Sequence, residues 1–409
     1  MRILLLTYSC SPNNGGEEKV GWQWALQLAQ QVHEVVVITK YEPGKKETID
    51  TYLRENKITN LYVEYINMSE NIFFSLINEK IGTMTFRIFI YQFFLYNRVK
   101  EIVEKYSFDI IHQVTPVNFR VPFLSSKINS IPTVLGPLGG GQVLKKWMYK
   151  YVGEDPKQKY RKLINQMTIK MPIINKRLQT TSQIFAGNES TKRIIEDTLG
   201  INAIYFSDIG VLKKDIIRNE RIISCENNRV KLLWAGRLTP HKGLGLLIEC
   251  LSKSIFKNSV ELIVAGGEKK EVENYSTMAK EFGVNNIKFL GKIPYSEMKS
   301  LYRNVDAFIF TSMIDTGGSV LLEAASFGLP VILSDINGKK IFGENALYLD
   351  YSSRESAEDS INSSLEKIFD INLRSRLSKG SVLIANKNSW EEKAKSMVKV
   401  YKKLINSSC

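Results

Sequence analysis

Along this chain, short apolar runs alternate with segments whose apolar residues recur every three or four positions, the pattern of parallel strands joined by crossover helices. In the first half it predicts strands at Ile3–Thr7, Glu34–Thr39, Leu61–Ile66, Asp109–Gln113, Thr133–Leu135 and Gln183–Ala186, with helices over about Glu18–Gln31 and Phe86–Lys105. The pattern then restarts. Strands are expected at Lys231–Ala235, Glu261–Ala265, Asn286–Leu290, Ala307–Phe310, Val331–Ser334 and Ala346–Leu349, with helices at Leu244–Lys253, Ser319–Phe327 and Arg354–Ile368. A polar stretch from Asp215 to Arg229, with Asn219, Asn227 and Asn228, reads as the linker. The last helical segment, Trp390–Ile405, puts Ala394, Met397, Val398, Tyr401 and Leu404 on one face and must dock on something. The expectation is α/β: two doubly wound domains, 1–212 and 213–389, and a terminal helix, 390–409, packing back toward the first.

Composition narrows the class. With 409 residues, 44% hydrophobic and 24% charged, the chain has apolar material for two cores, and disorder is excluded. Cys10, Cys225, Cys250 and Cys409 show no metal or disulfide spacing, which fits a reducing cytoplasm. The N-terminal apolar run is too short for a secretory signal, and Phe86–Tyr96 is broken by Arg87 and Gln92, so any membrane contact is expected to be peripheral. The net charge of +14 predicts an anionic partner.

Candidate chemistry is concentrated in the second half. Strand Lys231–Ala235 runs into Gly236-Arg237-Leu238-Thr239-Pro240-His241-Lys242-Gly243, placing two cations on a glycine-flanked loop at the carboxyl end of a first strand, where doubly wound domains bind ligands. A pyrophosphate suits that spacing, although either cation alone reads as a solvated loop charge. Strand Ala307–Phe310 leads through Asp315-Thr316-Gly317-Gly318 into a helix near Ser319, whose free amides favour a phosphate. Asp315 and Glu323 flank those amides and can accept hydrogen bonds from sugar hydroxyls; singly, they read as a turn residue and a surface helix residue.

Together, Gly236-Arg237-x4-Lys242-Gly243, an acid separated by seven residues from Glu323-Ala324, and Gly328-x-Pro330 resemble the family 4 retaining glycosyltransferases of the GT-B fold, in their bacterial surface-polysaccharide branches. Ser11-Pro12-Asn13-Asn14-Gly15-Gly16-Glu17, Phe108 to Pro116, Gly136-Pro137-Leu138-Gly139-Gly140-Gly141 and Asn188-Glu189-Ser190-Thr191 extend the likeness over the first half. The resemblance implies two Rossmann-like domains facing a central cleft, a nucleotide-diphosphate-sugar donor with UDP-sugar favoured, no cofactor and no metal. It implies Arg237, Lys242, Asp315 and His112 as catalytic residues, and donor binding by Gly236, Lys292, Ile293, Gly317, Gly318, Ser319, Val320 and Glu323. Acceptor binding falls to Gly15, Gly16, Glu17, Thr115, Gly139 and Gly140. Asp315 stands where most members carry Glu, which leaves the sugar open, and either His112 or Thr115 is expected at the reacting sugar. Glu17 and Glu189 read equally as helix-start residues.

The positive charge is unevenly placed. Leu144–Arg177 holds ten cations against Glu154 and Asp155, interleaved with Trp147, Met148, Tyr149, Tyr151, Tyr160, Met167 and Met171, as on a segment lying on anionic lipid. The whole reads as a cytoplasmic, membrane-peripheral transferase acting on a glycan or lipid-linked glycan in capsule, exopolysaccharide or lipopolysaccharide synthesis. The alternatives are another GT-B enzyme (an epimerase or an inverting transferase) and a basic nucleic-acid-binding protein. The last lacks a reading module, and no nucleic-acid partner is expected.

Overall fold

A computed structural model describes residues 1–12, 15–68, 84–153, 156–218, 221, 229–315 and 317–408. They group into two compact units, Met1–Gln142 with Arg161–Asp208 and Trp390–Cys409, and Val143–Tyr160 with Ile209–Ser389. Of the expected linker, Asn219, Asn227 and Asn228 lie outside the described residues.

In the first unit, β1 (Arg2–Leu6), β2 (Glu34–Lys40), β3 (Leu61–Ile66), β4 (Ile110–Gln113), β5 (Thr133–Leu138), β6 (Gln183–Ala186) and β7 (Ala203–Tyr205) form one sheet in the order β3-β2-β1-β4-β5-β6-β7. Every neighbouring pair is parallel. Ile3, Leu4, Leu5 and Leu6 are wholly buried, as a strand covered on both faces requires. The pattern missed β7, a three-residue edge strand whose middle residue, Ile204, is exposed. Helix α1 (Glu17–Ala29) follows β1, α2 (Lys45–Glu55) follows β2, and α3 (Met84–Lys105) precedes β4. Beyond β5 come α4 (Arg161–Lys170) and α5 (Pro172–Gln179). Helix α6 (Glu189–Leu199) starts where Asn188 accepts the Thr191 N–H and stops at the left-handed Gly200.

In the second unit, β8 (Val230–Ala235), β9 (Val260–Ala265), β10 (Ile287–Gly291), β11 (Ala307–Phe310), β12 (Val331–Ser334) and β13 (Leu347–Leu349) are ordered β10-β9-β8-β11-β12-β13, again all parallel. Their helices are α7 (Leu244–Lys253), α8 (Lys269–Glu281), α9 (Tyr295–Asn304), α10 (Ser319–Ser326), α11 (Asp335–Phe342), α12 (Arg354–Lys367) and α13 (Ile371–Lys387). Arg221 donates to the carbonyls of Tyr302, Arg303, Val305 and Phe327, satisfying the last turn of α9.

Two segments leave their sequence neighbours. Helix α14 (Trp390–Ser408) belongs to the first unit, where Ala394, Met397 and Tyr401 are buried and Trp390 packs edge-on to Trp24. Residues 143–160, expected within a first domain running to 212, belong to the second unit. Leu144 and Met148 enter that unit's core, with Trp147, Tyr149, Tyr151 and Val152 packed against it.

Candidate active site

In the second sheet the chain leaves β8 toward β9 and later returns to β11 on the other side of β8, so β8 and β11 border the switch point where open α/β sheets bind ligands. The loops leaving these strands, 236–243 and 311–318, are tied together. Thr311 Oγ1 donates to the Lys242 carbonyl (3.1 Å), Trp234 Nε1 donates to Thr311 Oγ1 (3.0 Å), and Met313 N–H donates to the His241 carbonyl (2.8 Å). Tyr351 OH donates to the Thr311 carbonyl (2.7 Å), and Trp147, from the 143–160 segment, donates to the Tyr351 carbonyl (3.3 Å). Gly243 has φ +75°, and a Cβ there would lie 2.1 Å from the Thr311 carbonyl oxygen, so the loops can approach this closely only with glycine.

A third loop, absent from the sequence-predicted site, supports the first. At Gly266, where φ is +125°, a Cβ would lie 1.9 Å from the Gly236 carbonyl oxygen. Gly266 N–H also donates to the Gly291 carbonyl (2.7 Å), linking the β8, β9 and β10 loops through backbone alone. The signal was present as two consecutive glycines, Gly266-Gly267, after a predicted strand.

On this scaffold the chemistry is unevenly exposed. Lys242 is ion-paired with Asp315, and both side chains are largely buried. Arg237, five residues before Lys242, is exposed. Helix α10 opens after Gly317 and the left-handed Gly318, presenting the amides of its first turn, Ser319 and Val320 among them. One turn along, Glu323 accepts from Tyr302 OH (3.4 Å), a phenol raised well above its ordinary value by burial and then by Glu323. Lys292 is exposed and 3.7 Å from Glu268, and Ile293 beside it is half-buried. Thr316 lies outside the described residues. The structure thus joins Lys242 and Asp315, sets Gly236 and Arg237 on the same loop as Lys242, and leaves Lys292 and Ile293 at the outer strand β10. Among the described residues, no group of three or more His, Cys, Asp or Glu could hold a metal ion.

The first unit corrects one assignment. His112 is fully buried at the end of β4, its Nε2 donating to the Gly136 carbonyl (2.8 Å) and its Nδ1 accepting from Tyr401 OH (2.5 Å). Burial pushes its pKa down to about 4, the Gly136 contact offsetting only part of this, so the ring is a neutral strut between β4, β5 and α14 with no nitrogen left for a sugar. Thr115 is likewise buried, its hydroxyl accepting the Tyr8 N–H (2.9 Å). Glu17 does not cap α1 through its own side chain; its carboxylate accepts the Val117 N–H (3.1 Å), and burial raises its pKa against that hydrogen bond. Gly15 and Gly16 are exposed with open space above them, and Gly139 is buried. Gly140 is held by a residue the sequence did not mark: Arg120 donates to its carbonyl (2.6 Å) and to Asn165 Oδ1 (2.9 Å). Burial, then Arg161, lowers Arg120 to about 10.

The basic segment 144–177 is not one surface. Its first part is an arm of the second unit, where Lys150 (2.9 Å) and Tyr151 (2.8 Å) both bind Glu249 Oε2 and Arg354 binds the other oxygen. Burial opposes ionisation of Glu249, but Lys150, Tyr151 and Arg354 together hold it down to about 2. The aromatics Trp147, Tyr149 and Tyr151 are therefore packing residues, not lipid-facing ones.

Known proteins match this architecture. Among solved structures, sucrose-phosphate synthase from Thermosynechococcus elongatus superposes with TM-score 0.67 at 14% identity, covering 99% of each chain. The Anabaena protein HepE in complex with UDP and glucose gives TM-score 0.61 at 17% identity, over 98% of this chain and all of that one. The glycosyltransferase WaaG, involved in lipopolysaccharide biosynthesis, gives 0.60 at 16%. The two parallel-sheet units are those of the GT-B glycosyltransferase fold. By sequence, an uncharacterized glycosyltransferase of Methanocaldococcus jannaschii is 30% identical over 157 residues, 38% of this chain and 39% of its own length. A D-inositol 3-phosphate glycosyltransferase of Corynebacterium glutamicum is 28% identical over 198 residues, 46% and 47%. The matched stretch spans less than half of either relative. Residues 216–381, which carry Gly236 to Gly243 and Asp315 to Pro330, match the model for glycosyl transferases group 1.

Proposed function

We propose that the chain is a nucleotide-sugar-dependent glycosyltransferase that transfers a hexose, with retention of configuration, to a glycan or lipid-linked glycan acceptor of a surface polysaccharide at the cytoplasmic face of a membrane. The observation that carries this reading is the clamped pair of loops at the β8/β11 switch point, which sets Lys242 against Asp315 beside the amides opening α10. A diphosphate entering there meets Lys242, Arg237 and the first-turn amides, three sources of positive potential on one group. Glu323 is placed for the ribose hydroxyls, and Asp315 for hydroxyls of the transferred sugar. Asp315 is paired with Lys242; a bound diphosphate takes over that role and leaves the carboxylate to the sugar.

In the transfer, the bond from the anomeric carbon to the diphosphate oxygen breaks and a bond to the acceptor oxygen forms on the same face. The acceptor's proton goes to the departing diphosphate, whose charge Arg237 and Lys242 stabilise. Neither an enzyme nucleophile nor a metal is used. His112 has no part in this step, being closed within the first unit. Gly15, Gly16, Glu17, Gly139 and Gly140 remain the acceptor-side residues of the proposal, with Thr115 supporting their loops from below. The UDP complex of HepE favours UDP as the donor nucleotide.

A thermal-shift screen of UDP-, GDP- and dTDP-sugars, followed by transfer assays with and without EDTA, tests this. A shift with one nucleotide series and EDTA-resistant transfer are expected. No shift with any of them refutes the donor assignment, and activity that requires added Mn²⁺ refutes the metal-free step.

A further inference from the structure

Once the 143–160 arm is assigned to the second unit, the rest of the basic segment shows a face of a different kind. Helix α4 is held to the first unit by Asn165 and Ile169, both wholly buried, with Asn165 bound to Arg120. On its other side Leu163, Ile164 and Met167, and Met171 just beyond its end, are 53%, 41%, 63% and 48% exposed. At about 100° per residue these four fall within roughly 100° of arc, centred opposite Asn165 and Ile169. Four large apolar side chains facing water on one short helix are not demanded by the fold, because the helix is already anchored by its other face.

The charge around this face selects its partner. From Pro156 to Asn188 the sequence holds seven cations, Lys157, Lys159, Arg161, Lys162, Lys170, Lys176 and Arg177, and no Asp or Glu. On α4, Lys162 and Lys170 are exposed, and Lys176 is exposed on α5. An apolar stripe flanked on its own helix by Lys170, in a segment with seven cations and no acid, fits a plane of negative charge over hydrocarbon. Among the described residues no helix is long and apolar enough to cross a membrane, so the helix would lie in the plane of the headgroups.

We propose that α4 docks the protein on an anionic bilayer, with Leu163, Ile164, Met167 and Met171 entering the acyl boundary and Lys170 at the headgroups. This rests on the membrane-facing part of the proposed function and assigns it to one helix, away from Trp147, Tyr149 and Lys150.

The test uses the full chain with vesicles of phosphatidylcholine alone or with about 30% phosphatidylglycerol, an anionic fraction that sets up a surface potential. Sedimentation with the anionic vesicles only, weakened by salt, is expected. Lys170→Ala should cut partitioning about fivefold. Leu163→Ser with Met167→Ser should cut it roughly tenfold per side chain, while Lys145→Ala with Lys146→Ala should change it less than either α4 variant. A Met167→Trp variant reports insertion directly, by a blue shift of its added emission relative to the native protein and quenching by brominated lipid. Equal sedimentation of native protein and both α4 variants, or emission from the added tryptophan that is indifferent to brominated lipid, overturns the proposal. Calorimetric UDP binding by the same preparations separates the failures: α4 variants that bind UDP and still sediment refute the docking helix alone, whereas native protein that sediments but binds no nucleotide refutes the transferase reading alone.

Discussion

At the carboxyl ends of β8 and β11 the second unit places charged side chains on glycine-tied loops: Arg237 exposed and Lys242 paired with Asp315, with helix α10 opening after Gly318. At the corresponding ends of β1 and β4 the first unit has the same strand order but closes its polar groups on one another, His112 on Gly136 and Tyr401, Thr115 on Tyr8, Glu17 on Val117. One topology therefore carries charged side chains on its loops in one unit and hydrogen bonds among buried residues in the other. The fold supplies a crevice; the residues on the loops decide whether a ligand is needed to complete it.

The contrast can be broken most forcefully at Lys242. Lys242→Ala should lower kcat/KM by about 100- to 1,000-fold, the scale for losing one group that stabilises charge in the transition state. Melting curves address the glycine ties: Gly243→Ala forces a Cβ onto the Thr311 carbonyl and should destabilise the chain by about 3 kcal/mol, and Gly200→Ala, whose Cβ meets nothing within 4 Å, by about 1 kcal/mol from its left-handed φ alone.

For the first unit the sharper probe is pH. Because folding lowers the His112 pKa from 6.5 to about 4, the unfolded chain binds the proton first as pH falls. The histidine's contribution is therefore fully present above pH 6.5 and is lost between there and pH 4, up to on the order of 3 kcal/mol. Denaturant titrations across this range should show that slope in the native protein and a shallower one in His112→Asn; equal slopes would remove histidine from the account. The smallest effect is expected at the clamp itself. Thr311→Val keeps the shape but loses the bond to the Lys242 carbonyl and strands the Trp234 N–H, so UDP affinity should fall about tenfold with UMP binding nearly unchanged.

Much of this was legible in the sequence. Strands such as Ala307–Phe310 and Val331–Ser334 lie where continuous apolar runs predicted them, since a sheet buried on both faces leaves no other place for such runs. The spacing of Arg237 and Lys242 and the glycines before Ser319 marked the switch-point loops. What the pattern could not show was partnership across distance. Nothing local to Lys150 points to Glu249, about a hundred residues on, so an arm anchored in the second unit read as part of a membrane segment in the first. The family resemblance implied a chemical role for His112; its two partners, Gly136 and Tyr401, are remote in sequence and meet it only on folding. Gly266 was missed because its constraint, the nearby Gly236 carbonyl, lies on another strand's loop.

The central claim is that the β8 and β11 loops of the second unit hold the diphosphate of a nucleotide-sugar. Isothermal titration of UDP into the native protein, Arg237→Ala and Lys242→Ala tests it most directly. The account predicts saturable binding to the native protein and at least tenfold weaker binding to each variant, in line with the loss of a charge-assisted contact. Equal affinity in all three would contradict it.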